Sequence, residues 1–294
     1  MHPIERLRYV ARAGDVPVEP LVRESAGALA TFADDPTGLL TACRRLLERR
    51  PASAPLVWLC ARMLSGVDPR LEARDVVAAI AADPTDDELA HALPAEATVC
   101  LIGGGEISGR ALLARPDLSV LLVDPVDDAH HLLRALDEAG HRVESVPTSA
   151  LDAAVEASGV VLFDASAAAS GRVLGPAASL AAAAVAARTR AETWAAVGVG
   201  RLLPEPMWPA LGVAGDADDP SAALGDGDDA SGTAVRRTRP RDLFTRDVVE
   251  VPAELVDVCV TPVGRRRPDE LARATDCPVV PALVTGGDAR GGRR

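Results

Sequence analysis

Apolar positions recur with two different periods along the chain, and the change of period divides it. Up to residue 95 the spacing is helical. Leu21, Val22, Leu29 and Phe32 recur at helical intervals with the small Ser25 among them. Leu39, Leu40, Cys43, Leu46 and Leu47 repeat the pattern after Asp35-Pro36, a helix-start signal. Leu56, Leu59, Cys60, Met63 and Leu64 give a third helix, and Arg70 to Ala82 a fourth. Thr85 with Glu88 three residues on reads as a capping box that opens a short helix to about Ala92, ended by Pro94. The spacing predicts a helical N-terminal domain over residues 1–95.

From Ala97 the pattern alternates between β and α. Apolar runs fall at 98–102, 119–123, 142–146, 159–163, 194–198 and 256–261. Helical stretches at 106–115, 126–139, 149–157 and 176–188 separate them. Strands alternating with helices predict βαβ units and a parallel sheet. Val120-Leu121-Leu122-Val123 is apolar throughout, as a strand covered on both faces should be. The fold class is therefore α/β, with a parallel-sheet domain over 96–285. Residues 212–241 interrupt it: Asp216, Asp218, Asp219, Asp226, Asp228 and Asp229 alternate with small residues, and Arg236, Arg237, Arg239 and Arg241 come after them. This stretch reads as a solvated insertion. The Gly/Arg-rich tail 286–294 is expected to be disordered.

Composition narrows the functions. The net charge of −12 repels nucleic acid, and 2% aromatic residues leave little to stack bases on, so direct nucleic-acid binding is not expected. All basic side chains are arginine. Without lysine, a Schiff base, a Walker-type phosphate lysine and a lysine general base are excluded. The five cysteines are widely spaced, lie in apolar runs and form no CxxC, so they predict neither a zinc site nor a disulfide framework. Met1 to Tyr9 is polar and charged, unlike a signal peptide, and charges interrupt every apolar run before membrane-spanning length. A cytoplasmic protein with no resident cofactor is expected.

Candidate chemistry collects at residues 97–124. Thr98–Ile102 is a strand, Gly103-Gly104-Gly105 a turn, Glu106–Arg115 a helix, and Ser119–Val123 a strand closed by Asp124. Such a turn aims backbone N–H groups and a helix N-terminus at a phosphate. Gly103, Gly105 and Ser108 approximate GxGxxG, with serine in the third glycine place. Asp124 would then bind a ribose, or serve as a turn residue before Pro125. Asp164 ends an apolar run at the carboxyl edge of the sheet, where α/β sites collect; the alternative is a helix or turn cap for Ala165 to Ala169. No register of the 212–241 aspartates supplies an EF-hand loop, and His130-His131 has no third ligand in view, so no metal site is expected.

Several stretches together resemble one family: the alpha, beta and delta subunits of translation initiation factor 2B, with the methylthioribose-1-phosphate and ribose-1,5-bisphosphate isomerases. Arg50-Pro51-Ala52-Ser53-Ala54-Pro55-Leu56-Val57-Trp58 resembles its R-P-T-A-V-N-L-x-W segment. Arg12-Ala13-Gly14 lies where it has an early R-G-A, and Val146-Pro147-Thr148-Ser149-Ala150 resembles V-V-D-S-A. Ser170-Gly171 through Ala178-Ser179 occupies its N-G-x-V-x-N-K-I-G-T stretch, and Val251–Thr261 is similar to P-x-E-L-V-D-x-I-I-T. The resemblance implies a helical N-terminal domain, a Rossmann-like C-terminal domain and a homodimer. It also implies an interdomain site for a phosphorylated sugar or nucleotide, held by Arg12, Arg50, Gly103, Gly104, Gly105, Ser170 and Gly171, with Asp164 in the catalytic aspartate's place.

The departures matter as much. The loop where the isomerases keep a catalytic cysteine is Gly103-Gly104-Gly105 here, and Cys100 falls three residues early, inside the strand. The family's N-K is Gly175-Pro176, and aligning Asp164 requires a one-residue shift. A helix N-terminus contributes about 0.3–1 kcal/mol to anion binding and one arginine about 1.5–3, against about 8 for micromolar affinity. Arg12 and Arg50 would have to contribute, although Arg50 equally suits a helix C-cap. The expectation is a non-catalytic or divergent factor 2B-related protein, with a possible protein partner. The alternatives are an isomerase of a phosphorylated ribose using Asp164 and Glu106, and a NAD-dependent enzyme.

Overall fold

The computed structural model describes residues 17–124, 126, 129–213 and 247–284. Arg12, all of the 212–241 segment beyond Val213, and the tail 286–294 lie outside the described residues.

The helical segment begins with α1 (Val18–Leu29), α2 (Pro36–Arg49), α3 (Ala54–Ser65), α4 (Pro69–Ala81) and α5 (Thr85–Ala92). Two aspartate–proline pairs open helices for a physical reason. The Asp35 side chain accepts from Gly38 N, and Asp68 from Arg70 N and Leu71 N, while the proline after each has no N–H to leave unsatisfied. α3 is buried nearly all round, from Ala54 through Ala61 and again at Met63, so α1, α2 and α4 pack about it, while α5 packs on the large sheet. α5 starts at the expected residue by other means. Thr85 does not cap it; the Asp83 carboxylate accepts from Thr85 N and Thr85 Oγ1, and Pro84 is the N-cap residue. No described helix is long and apolar enough to cross a membrane.

The β/α part contains β1 (Thr98–Ile102), α6 (Glu106–Leu113), β2 (Ser119–Val123), α7 (His130–Glu138), β3 (Arg142–Val146), α8 (Leu151–Glu156) and β4 (Val160–Asp164). Next come β5 (Ala167–Ala169), β6 (Arg172–Pro176), α9 (Ser179–Ala186), β7 (Glu192–Ala196), β8 (Val248–Pro252), β9 (Val258–Thr261), β10 (Gly264–Arg266) and α10 (Pro281–Val284). A seven-stranded sheet runs β10-β9-β7-β4-β1-β2-β3. All its neighbours are parallel except β10, which turns back on β9. Period-two alternation assigns its two faces. Val99 and Leu101 enter the apolar layer with Leu89, Ile107 and Leu112, whereas Cys100 and Ile102 enter the layer with Val155, Ala182 and Ala183.

A second sheet, β5-β6-β8, is antiparallel and has no counterpart in the expected elements. Its presence shortens the helix expected at 176–188, which begins at Ser179 because Pro176 closes β6 and Ala178 turns left-handed at φ 70°. The β5–β6 hairpin leans on the helical segment. Ala167, Ala169 and Leu174 share a core with Leu56, Trp58 and Leu59, joined by Met207, Trp208 and Leu283.

Candidate functional site

In the large sheet the chain leaves β1 for β2 and β3 on one side and returns to the other side as β4. Ligands of open α/β sheets collect at such a reversal, outside the carboxyl ends of the two strands. β1 ends there in the glycine turn and β4 ends there in Asp164. Each glycine has its own reason. Gly103 has φ +75° while its N–H bonds Val123 O at 2.8 Å. At Gly104 a Cβ would lie 3.0 Å from Ala129 Cα, and at Gly105 it would lie 2.3 Å from Cγ of Asp164.

The contact at Gly105 decides what the helix N-terminus holds. Asp164 Oδ2 accepts from Ile107 N at 2.8 Å and Oδ1 from Ser108 N at 3.0 Å. Both donors belong to the first turn of α6, whose N-cap Gly105 has no side chain to satisfy them. Asp164, 7% exposed, thus caps a helix distant in sequence, and its negative charge suits the positive end of the helix dipole. Arg201 Nη1 lies 3.8 Å from Asp164 Oδ2 and donates to Ala165 O at 2.8 Å. A carboxylate of the chain itself therefore takes two amide donors of the helix N-terminus at which a phosphate was expected.

Beside this centre is a cleft of about 200 Å³, lined by Ile107, Arg110, Val199 and Arg201 on the sheet side and by Val18, Glu19, Ile80 and Asp83 on the helical side. Glu106 and Asp86 complete its carboxylates. Each of these acids already has a partner. Glu106 accepts from Val18 N, Asp83 from Val199 N, Asp86 holds Arg110, and Glu19 holds Arg23. Four carboxylates against Arg110 and Arg201 give the cleft an acidic balance that opposes a phosphate dianion.

Of the expected site residues, the structure brings together Gly103, Gly104, Gly105 and Asp164. Arg50 ends α2, its N–H bonding Leu46 O and Leu47 O, and its loop reaches the chain two residues past Asp164 through Ala54 N to Ser166 O. Ser170 and Gly171 form the tip of the β5–β6 hairpin, where Gly171 O accepts from Ala253 N. The other end of that hairpin meets the glycine turn, since Pro176 packs on Gly103. At about 3.3 Å per residue the tip is about 16 Å further away. Cys100 is fully buried, and burial pushes its thiol up to about 12, so it carries no thiolate at neutral pH. Asp124 caps as well, accepting from Ala129 N at 2.8 Å. His130 and His131 are exposed. Among the described residues no three His, Cys, Asp or Glu side chains are placed to hold a metal ion.

Two residues of the centre had no expectation attached to them, Arg201 and Asp83. The signal available for Arg201 was Val197-Gly198-Val199-Gly200-Arg201, a glycine-rich turn directly after an apolar strand. Gly200 has φ +74°, and a Cβ there would lie 2.5 Å from the Trp58 ring.

No protein-family model matches the chain, and no curated protein matches it in sequence. Solved structures do match. Translation initiation factor eIF-2B from Pyrococcus horikoshii OT3 superposes with a TM-score of 0.68 at 16% identity, over 91% of this chain and 98% of that one. The chain has the factor 2B fold. The tetrameric eIF2B-beta2-delta2 complex from C. thermophilum matches with TM-score 0.67 at 18% identity, over 92% of each chain. The eIF2B beta subunit from Chaetomium thermophilum matches with TM-score 0.63 at 17% identity, over 96% of this chain and 91% of that one. At these identities the likeness is one of fold. Within the factor 2B fold of this chain, the strand-end aspartate is a helix cap and the turn after the first sheet strand carries no thiol.

Proposed function

We propose that this chain is a factor 2B-related protein without isomerase activity, acting through association with other proteins as a subunit or regulator. The observation that carries the reading is Asp164. A carboxylate that accepts two buried amide N–H groups beside a buried guanidinium is committed to holding β4 against α6. An isomerase base needs the opposite arrangement, within reach of a substrate proton. The other half of an isomerase pair is also missing, because the glycine turn has no nucleophile and Cys100 points into packing. A phosphorylated sugar or nucleotide would meet an anion already seated on α6 and an acidic cleft beside it. Association is carried over from fold relatives, one of which is a beta2-delta2 tetramer. The edge strand β3 and its neighbour α7, which buries only Leu136, offer surface for it.

The test is turnover of methylthioribose-1-phosphate and ribose-1,5-bisphosphate by the full chain, alongside sedimentation. No turnover and no binding of either sugar, with a mass above 30.4 kDa alone or with a partner, is the expected outcome. Turnover that Asp164→Asn abolishes would move the chain to the isomerases.

A further inference from the structure

The helical segment carries a groove that none of the site chemistry uses. It lies between α1 and α4, holds about 400 Å³, and is open to solvent. From α1 and its C-cap come Arg23, Ala26, Gly27 and Ala30; from α4 come Arg70, Ala73, Arg74, Val77, Ala78 and Ala81. Both sets have the i, i+3, i+4, i+7 spacing of a face that packs on another helix. The floor is Ala, Gly and Val, which lets a third helix approach closely. The rim is arginine on both sides.

Gly27 sits on this floor in the last turn of α1. Nothing lies within 4 Å of where its Cβ would be. The space beside Gly27 is open, so a side chain placed there would enter the groove. The charge on the rim is also out of character. In a chain of net charge −12, three arginines converge on one apolar furrow. Arg23 pairs with Glu19, and Arg70 holds Asp34 through two parallel hydrogen bonds, so both already have partners within the chain. Arg74 meets no carboxylate among the described residues.

We propose that the α1–α4 groove docks an amphipathic helix of a partner protein whose apolar stripe is flanked by Glu or Asp. The small floor takes the stripe, and Arg74, which holds no carboxylate of the chain among the described residues, takes a flanking one. A basic helix is repelled by the same rim, so the groove selects by sign as well as by shape. The inference extends the association reading above and rests on it.

The probe is a fluorescent 18-residue helical peptide with Ala and Leu at i, i+3, i+4, i+7 and Glu on both flanks. A second peptide carries Arg in place of each Glu. The full chain is expected to bind the acidic peptide at about 100 μM or tighter and the basic one at least about tenfold more weakly. Gly27→Leu, which adds its side chain into open space, fills the floor and removes binding without lowering the melting temperature. Arg74→Glu weakens binding about tenfold and leaves the fold intact. Failure to bind the acidic peptide at 1 mM, equal affinity for both peptides, or indifference to Gly27→Leu overturns the proposal. So does self-association of the chain that Gly27→Leu abolishes, which would make a second copy the occupant. Turnover of a phosphorylated ribose with peptide binding intact would overturn the non-enzymatic reading and leave the groove standing.

Discussion

Replacing Asp164 with alanine separates a structural carboxylate from a catalytic one. The substitution strands Ile107 N and Ser108 N in a buried helix turn, and each unsatisfied donor costs about 1–3 kcal/mol. It also removes the anion nearest the buried Arg201 guanidinium, and breaking a buried pair from one side costs about 3–5 kcal/mol. The 3.8 Å separation makes that pair a charge contact without a hydrogen bond, so the two costs overlap and about 3–5 kcal/mol is the whole expected loss. For a chain of this size that is about 6–20 °C in melting temperature. Urea melts of the wild type and Asp164→Ala measure it. The vacated helix end gives a second signature. Inorganic phosphate or sulfate should raise the melting temperature of Asp164→Ala by more than it raises that of the wild type, because the freed N–H groups become an anion site. A catalytic carboxylate behaves otherwise, since removing one commonly leaves stability unchanged or raised. A loss below about 1 kcal/mol, with no anion effect, would refute the capping argument.

The remaining predictions come from neighbouring geometry. Gly105→Ala should cost about 1–3 kcal/mol by overpacking against the Asp164 carboxyl, and most of that cost should vanish in the Asp164→Ala background, as a double-mutant cycle of urea melts would read. Ala178→Gly should stabilise by about 1 kcal/mol, since Ala178 holds φ 70° before α9 where glycine carries no Cβ penalty; a loss of stability would contradict this. The thiols of Cys100, Cys259 and Cys277 are pushed up to about 12 by burial. Their folded pKa exceeds the unfolded value near 8.5, so their contribution is intact below about pH 8.5 and falls by about 1.4 kcal/mol per pH unit per thiol as pH rises toward 12. Urea midpoints between pH 7 and 11 test this, and Cys100→Ala should flatten the decline. Arg115 beside Asp117, helped by the N–H of Glu96, holds the Asp117 carboxyl below its ordinary range. That contribution is present above about pH 4 and is lost as pH falls through the lowered folded value. NMR titration of Asp117 in the wild type and in Arg115→Ala should show the pKa return upward.

The parallel sheet was legible because its strands are short, apolar and separated by helices of ordinary length. Thr98–Ile102 and Ser119–Val123 fall where the pattern put them. The β5–β6 hairpin was not legible, because Ala167-Ala168-Ala169 has neither β-branching nor alternation; Ala167 and Ala169 pack in the core of Leu56 and Trp58, and Ala168 on the other face in the core of Val173 and Val251. Thr85 carried a capping-box pattern, yet Asp83 captures its hydroxyl, so a local signal lost to a side chain tied at once to Val199 N across the cleft. The glycine turn was visible, and α6 starts directly after it where the pattern put a helix. That the anion belongs to the chain itself could not be read, because Ile107 and Asp164 are 57 residues apart and meet only through the pairing of β1 with β4.

The central claim is that the N-terminus of α6 is already occupied and leaves no place for a phosphorylated sugar. Titration calorimetry of the full chain with ribose-1,5-bisphosphate addresses it most directly. The account predicts no heat of binding up to about 1 mM, a concentration that reaches sites of about −4 kcal/mol. Saturable binding in the micromolar range, lost in Gly105→Ala, would contradict it.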